Sequence, residues 1–139
     1  MKKGTPISDI MTREVITLKT TDSLEYAEHL FKSEHIRHIP VVKNNIVVGM
    51  LSYTDLLRIS FADAVDEDAG TVDTVVYNMF TIEQVMAKNL VSVTSDTTIR
   101  SVAEMLAKRE FHSIPIINNT ELVGIVTTTD LINFLLSQF

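Results

Sequence analysis

Apolar residues fall along this chain in an order of runs that occurs twice. Val15 to Leu18 and Leu90 to Val93 are short, apolar and rich in β-branched side chains, as strands are. Each is followed by hydroxyl and acidic residues, Thr20-Thr21-Asp22-Ser23 and Ser95-Asp96-Thr97-Thr98, the types that accept hydrogen bonds from the first amides of a helix. Helical spacing begins there. Leu24, Ala27, Leu30 and Phe31 share one face while Glu25, Glu28, His29 and Lys32 take the other, and Ile99, Val102, Ala103 and Leu106 repeat the stripe. Two further apolar runs follow in each copy, Ile39 to Val42 and Ile46 to Leu51, then Ile114 to Ile117 and Leu122 to Val126. Lys43-Asn44-Asn45 and Asn118-Asn119-Thr120-Glu121 separate them, and asparagine tolerates the left-handed backbone of a tight hairpin. A last helix is predicted to start near Thr54-Asp55 and Thr129-Asp130, and a short one around Ile7 to Met11 and Ile82 to Met86 opens each copy.

Shifting the sequence by 75 lays residues 7 to 59 on residues 82 to 134 without a gap, and ten of the 53 positions are identical. The expected fold is therefore α/β (α+β): two β-α-β-β-α repeats related by a pseudo-twofold axis, small sheets packed on helices. A unit of this size is near the lower limit for standing alone, so the copies are expected to bury apolar faces together and to leave equivalent clefts where they meet. The expected division is repeat 1 over 1–60, a linker over 61–81 that is first acidic and then apolar, and repeat 2 over 82–139. Asp63, Asp66, Glu67, Asp68 and Asp73 form the acidic part, read as solvated; Val72, Val75, Val76, Tyr77, Met79 and Phe80 suggest that the second part packs.

Composition narrows the function classes. Eighteen acidic against twelve basic residues give a net charge of −6, which argues against a broad nucleic-acid surface. The absence of cysteine excludes disulfides, thiolate metal sites and a thiol nucleophile, and is read as cytoplasmic. No apolar run approaches the ~18 residues of a membrane span, and the amino-terminal residues do not read as a signal peptide.

The chemistry-bearing pattern is Gly-x-x-Ser/Thr-x-x-Asp, present as Gly49 to Asp55 and as Gly124 to Asp130. A hydroxyl with an acid three residues on is also a helix capping box, a purely structural device. The functional reading rests on placement, since hydroxyls, carboxylate and free helix amides converge at a strand end. An ionised Asp repels phosphate and is suited to a pair of hydroxyls such as a ribose diol. Phosphate would then need a cation, and Arg37 and His112, three residues before Pro40 and Pro115, are the candidates, with His38 beside the first. The alternative is that Arg37, His38 and His112 are surface cations at a helix end.

Asp9-Ile10-Met11, the run Arg37-His38-Ile39-Pro40-Val41-Val42 and the doubled Gly-x-x-Ser/Thr-x-x-Asp ending resemble the paired CBS domain, or Bateman module, over residues 7 to 136. The resemblance implies a regulatory module that binds AMP, ADP, ATP or S-adenosylmethionine in clefts between the repeats and signals to a partner protein by conformational change. It implies one site with Ser52, Thr54 and Asp55, Met50 beside the base, Arg37 toward phosphate and Val91 from the opposite repeat. The other has Thr127, Thr129 and Asp130, with Ile125 at the base, His112 toward phosphate and Ile16 closing it. Many members carry the module on an enzyme, channel or transporter, whereas here only about five residues lie beyond each end of the paired repeats, so the regulated partner is expected to be a separate chain or to lie outside this sequence.

No enzyme motif is evident, and no cofactor is required by the pattern. His35-x-x-His38 has a spacing that could hold a metal on a helix but lacks a third ligand, and a surface pair is the favoured reading. The alternative function is constitutive assembly with empty clefts. In either case the last helix, with Leu131, Ile132, Phe134, Leu135, Leu136 and Phe139, carries more apolar surface than one stripe needs and predicts a homodimer.

Overall fold

The computed structural model describes residues 4–63, 77–109 and 112–139. The chain divides into two units, and the division does not follow the order of the repeats: one unit is Ile16–Asn89, the other Met1–Val15 with Leu90–Phe139. Each repeat's opening segment thus belongs to the unit built by the other repeat.

In the first unit, β1 (Leu18–Lys19) runs parallel to β2 (His38–Lys43), which pairs antiparallel with β3 (Ile46–Ser52). Helix α1 (Leu24–Ser33) starts where Ser23 accepts a hydrogen bond from the Tyr26 amide, and it buries Leu24, Ala27, Leu30 and Phe31, the face that the spacing predicts. Helix α2 (Tyr53–Asp63) follows β3 and buries Leu56 completely. The short helix α3 (Ile82–Val85) opens the second repeat but sends Ile82 and Met86 into this core. Tyr77 is also buried here, Phe80 packs against the cluster and Met79 is exposed. The linker residues Asp66, Glu67, Asp68, Val72, Asp73, Val75 and Val76 lie outside the described residues.

The second unit has the hairpin of β4 (Ser113–Asn118) and β5 (Glu121–Thr127), with helices α4 (Ile99–Lys108) and α5 (Thr128–Ser137). Its core joins Ile99, Val102, Leu106, Ile114, Ile116 and Val126 to Ile7 and Met11, delivered by the 3-10 turn Ile7–Asp9. Backbone bonds tie that segment down: Ile7 N–H to Thr97 O at 2.7 Å and Ile99 N–H to Thr5 O at 2.9 Å.

The predicted first strands are shorter than expected. β1 keeps only Leu18 of its run and adds Lys19, and its counterpart in the second repeat is one bridge, Val93 with Ile116. Proline is the reason. Val93 donates to Pro115 O at 3.2 Å and accepts from Ile117 N–H at 2.8 Å, so the next rung would need an N–H from Pro115, which has none. The register Leu18 with Val41 puts Pro40 in the same place. The repeated Ile-Pro pair therefore ends the parallel ladder just before Ile16 and Val91.

Both hairpins turn on two left-handed residues, Asn44 and Asn45 with φ 52° and 65°, and Asn119 and Thr120 with φ 50° and 73°, as a type I′ turn requires. Both also carry a bulge at the same place, where pairing shifts between Val41 and Val42 and between Ile116 and Ile117. Among the described residues no helix is long and apolar enough to cross a membrane.

Candidate functional site

The two strand-to-helix junctions are built alike. In the first unit Met50 pairs with Ala87 through two backbone bonds, 3.0 and 2.9 Å, and in the second Ile125 pairs with Thr12 at 2.9 and 2.8 Å. The exchanged opening segment thus lies as a single added rung beside the strand that leads into the junction. This explains the two repeated glycines. A Cβ on Gly49 would stand 2.3 Å from Met86 Sδ, and one on Gly124 2.6 Å from Met11 Sδ. The glycines admit the Met of the opening segment, so Met11 and Met86 are matched to Gly124 and Gly49 by steric need.

At the end of each strand the chain turns into its helix, and the first helical amide is taken by the residue singled out as the phosphate cation: Tyr53 N–H donates to Arg37 O at 2.9 Å and Thr128 N–H to His112 O at 3.1 Å. Arg37 and His112 are thereby held at the heads of α2 and α5, both with exposed side chains. His38 pairs directly across from Ser52, and Ser113 across from Thr127. In the first unit Phe31 also meets the Tyr53 ring edge to face, 5.2 Å between centroids, which fixes the start of α2 on α1.

The hydroxyl and the acid act on the helix in both places, but differently. Ser52 Oγ accepts from the Asp55 amide at 3.0 Å, and the Asp55 carboxylate turns along the helix to Arg58, 3.4 Å away. At the other junction a full capping box forms: Thr127 Oγ1 accepts from the Asp130 amide at 3.3 Å while Asp130 Oδ2 accepts from the Thr127 amide at 2.9 Å. The Thr12 hydroxyl then reaches the same carboxylate, 3.3 Å from Oδ1 and 3.4 Å from Oδ2. The motif thus serves as a helix cap at both junctions, and capping by itself leaves carboxylate acceptor sites unused.

Of the residues singled out from the sequence, Arg37, His38, Met50, Ser52, Thr54 and Asp55 come together in the first unit, and His112, Ile125, Thr127, Thr129 and Asp130 in the second. Thr54 and Thr129 are exposed; Asp55 and Asp130 are half-buried. Met50 and Ile125 are buried yet belong to neither core cluster, in contrast to their neighbours Leu51 and Val126. Ile16 belongs to the unit of Asp55 and Val91 to that of Asp130. Both stand where proline has ended the ladder, so their backbone carries no rung from β2 or β4.

Thr12 and Arg58 escape a reading of the motif alone. The signal for both lies in the repeat, at positions where the copies differ: Thr12 faces Ala87 and Arg58 faces Asn133. The histidine pair resolves against a helical metal site. His35 lies just past α1 with φ 54°, and His38 begins β2. Among the described residues no three His, Asp or Glu side chains gather as metal ligands.

The CBS domain family model matches this chain twice, at residues 7–62 and 82–137. Protein MJ1225 of Methanocaldococcus jannaschii is 25% identical over 135 residues, which are 96% of this chain and 44% of that protein, so the chain spans under half of that relative. Two solved structures share the fold. The CBS domain pair of protein MJ0100, in complex with 5′-methylthioadenosine and S-adenosyl-L-methionine, aligns with a TM-score of 0.79 at 23% identity, covering 97% of this chain and 98% of that one. CBSX2 in complex with AMP aligns with a TM-score of 0.80 at 20% identity, over 97% and 98%.

Proposed function

Because the chain belongs to the CBS domain family, we propose that it is a regulatory ligand-binding module that takes an adenosyl compound at the junctions headed by Asp55 and Asp130. The candidates are AMP, ADP, ATP and S-adenosylmethionine. The observation that carries this reading is the shared construction of the junctions, where an acid in the first turn of a ten- or eleven-residue helix stands beside the docked backbone of Arg37 or His112. A carboxylate there accepts hydrogen bonds from both hydroxyls of a ribose. Arg37 grips a phosphate at any pH near neutral, whereas His112 does so fully only when protonated. Thr54 and Thr129, exposed on the first turn, add hydroxyls beside the acid, and Met50 and Ile125, buried next to the added rung, are the apolar residues assigned to the base. The relatives with AMP and with S-adenosyl-L-methionine support the ligand class. The signal passes to a partner protein that reads the ligand-bound conformation.

The test is binding to each of the four compounds, by thermal shift and calorimetry, in the wild type and in Asp55→Ala and Asp130→Ala. Each substitution is expected to weaken binding at its own junction by about tenfold or more, the worth of a hydrogen bond to a charged group. Saturating ligand should raise stability by about 2.7 kcal/mol at a hundredfold excess over Kd. Unchanged affinity in both variants overturns the assignment.

A second reading is favoured by one observation: α5 exposes Ile132, Leu135 and Leu136, followed by Phe139, and none of its residues is buried. That surface suits a homodimer, and a constitutive assembly module would need no ligand. A null shift with all four compounds, together with a dimer mass by light scattering, would select it.

A further inference from the structure

The two junctions share a motif but hold their carboxylates in different ways. Asp130 is turned back over the start of its helix and, among the described residues, is fixed by neutral donors: the Thr127 amide and hydroxyl on Oδ2, at 2.9 and 3.3 Å, and the Thr12 hydroxyl across both oxygens. Among the described residues no cation pairs with it, and Oδ1 has only the contact from Thr12 at 3.3 Å. An ionised carboxylate offers about four acceptor sites, and three donors leave about one of them for a ligand hydroxyl. Asp55 has Ala87 where Asp130 has Thr12, and methyl carbon cannot donate. Its carboxylate leans instead on Arg58, a cation one turn into the helix. Asp55 is thus drawn toward an exposed guanidinium and lacks the donor that fixes Asp130, whereas Asp130 already stands in place.

Resting on the adenosyl-binding reading above, we infer that Thr12, delivered by the exchanged opening segment, is a positioning residue that makes the Asp130 junction the tighter of the two, and that Ala87 leaves the Asp55 junction the weaker. The chain would then fill in order, Asp130 first.

Calorimetric titration of the full chain with AMP tests this. The stronger binding event should vanish in Asp130→Ala and survive in Asp55→Ala. Thr12→Ala should weaken it by about tenfold, the value of one hydrogen bond to a charged group, while Thr12→Ser keeps it within about twofold because the hydroxyl returns. Ala87→Thr should strengthen the weaker event in the opposite sense. Melting temperatures, recorded for each variant, separate these effects from loss of fold, since a merely structural Thr12 would lower stability without moving affinity. Loss of the stronger event in Asp55→Ala, or unchanged or tighter binding in Thr12→Ala, overturns the inference and leaves the ligand class standing. Failure of the wild type to bind AMP or any other adenosyl compound overturns both.

Discussion

Glu28 on α1 meets the hydroxyl of Tyr77, which belongs to the segment joining the repeats, and the ammonium of Lys32 at 2.9 Å. Burial alone would raise its pKa, but the Tyr77 hydrogen bond and the Lys32 charge together outweigh it and leave the carboxyl below its ordinary 4.5. A lowered acid pKa stabilises the fold fully above the ordinary value, and the contribution fades as pH falls through the folded value. Tyr77→Phe removes one of the lowering causes. It is expected to cost about 1 kcal/mol near pH 7, and the deficit should shrink as pH falls through the lowered folded value of Glu28 and the carboxyl protonates in both proteins. Urea melts of both proteins across that range check it, and a deficit constant with pH would mean that packing, not the ion, is lost. Little of this was legible beforehand: Tyr77 could be expected to pack, but nothing in the spacing ties it to Glu28, 49 positions away. The same holds for Gly49 and Gly124, whose partners Met86 and Met11 are visible as repeated residues but not as neighbours.

Elements were legible where local chemistry decides them and less so where a distant residue does. The helix stripes and the turn asparagines are local, and helices α1 and α4 and both hairpins lie within about a residue of the pattern. The first strands are not local, because their length depends on whether the opposing strand can donate, and Pro40 and Pro115 cannot. The turn in the second hairpin carries a cost that its twin avoids: Thr120 is β-branched yet holds φ 73°, where the first repeat has Asn45 at 65°. Thr120→Asn should therefore stabilise the chain by about 0.5–1 kcal/mol, and Asn45→Thr should destabilise it by a similar amount. In thermal melts this is a displacement of about 2–4 °C in opposite directions, and displacements of the same sign would refute the strain argument.

At the scale of the whole molecule the repeat is plain in the sequence, but the exchange of opening segments is not. Ile7 and Met11 match Ile82 and Met86, so hydrophobicity alone does not say which segment fills which core. The consequence concerns which fragments fold. Residues 1–81 contain the first repeat and the linker, yet lack Ile82 and Met86 from that unit's core and Ala87 from the rung beside Met50. Residues 16–89 cut across both repeats and retain every buried side chain of the cluster. Omitting a buried Ile and a buried Met costs about 2–5 kcal/mol for each, comparable to the whole stability of so small a unit. The fragment 16–89 is thus expected to give a cooperative thermal transition by circular dichroism and dispersed amide resonances, while 1–81 gives neither. A fragment 1–81 that melts as sharply as 16–89, or at a higher temperature, would show that its own Ile7 and Met11 can fill the place left by Ile82 and Met86, and that the exchange is a matter of chain connection and not of packing.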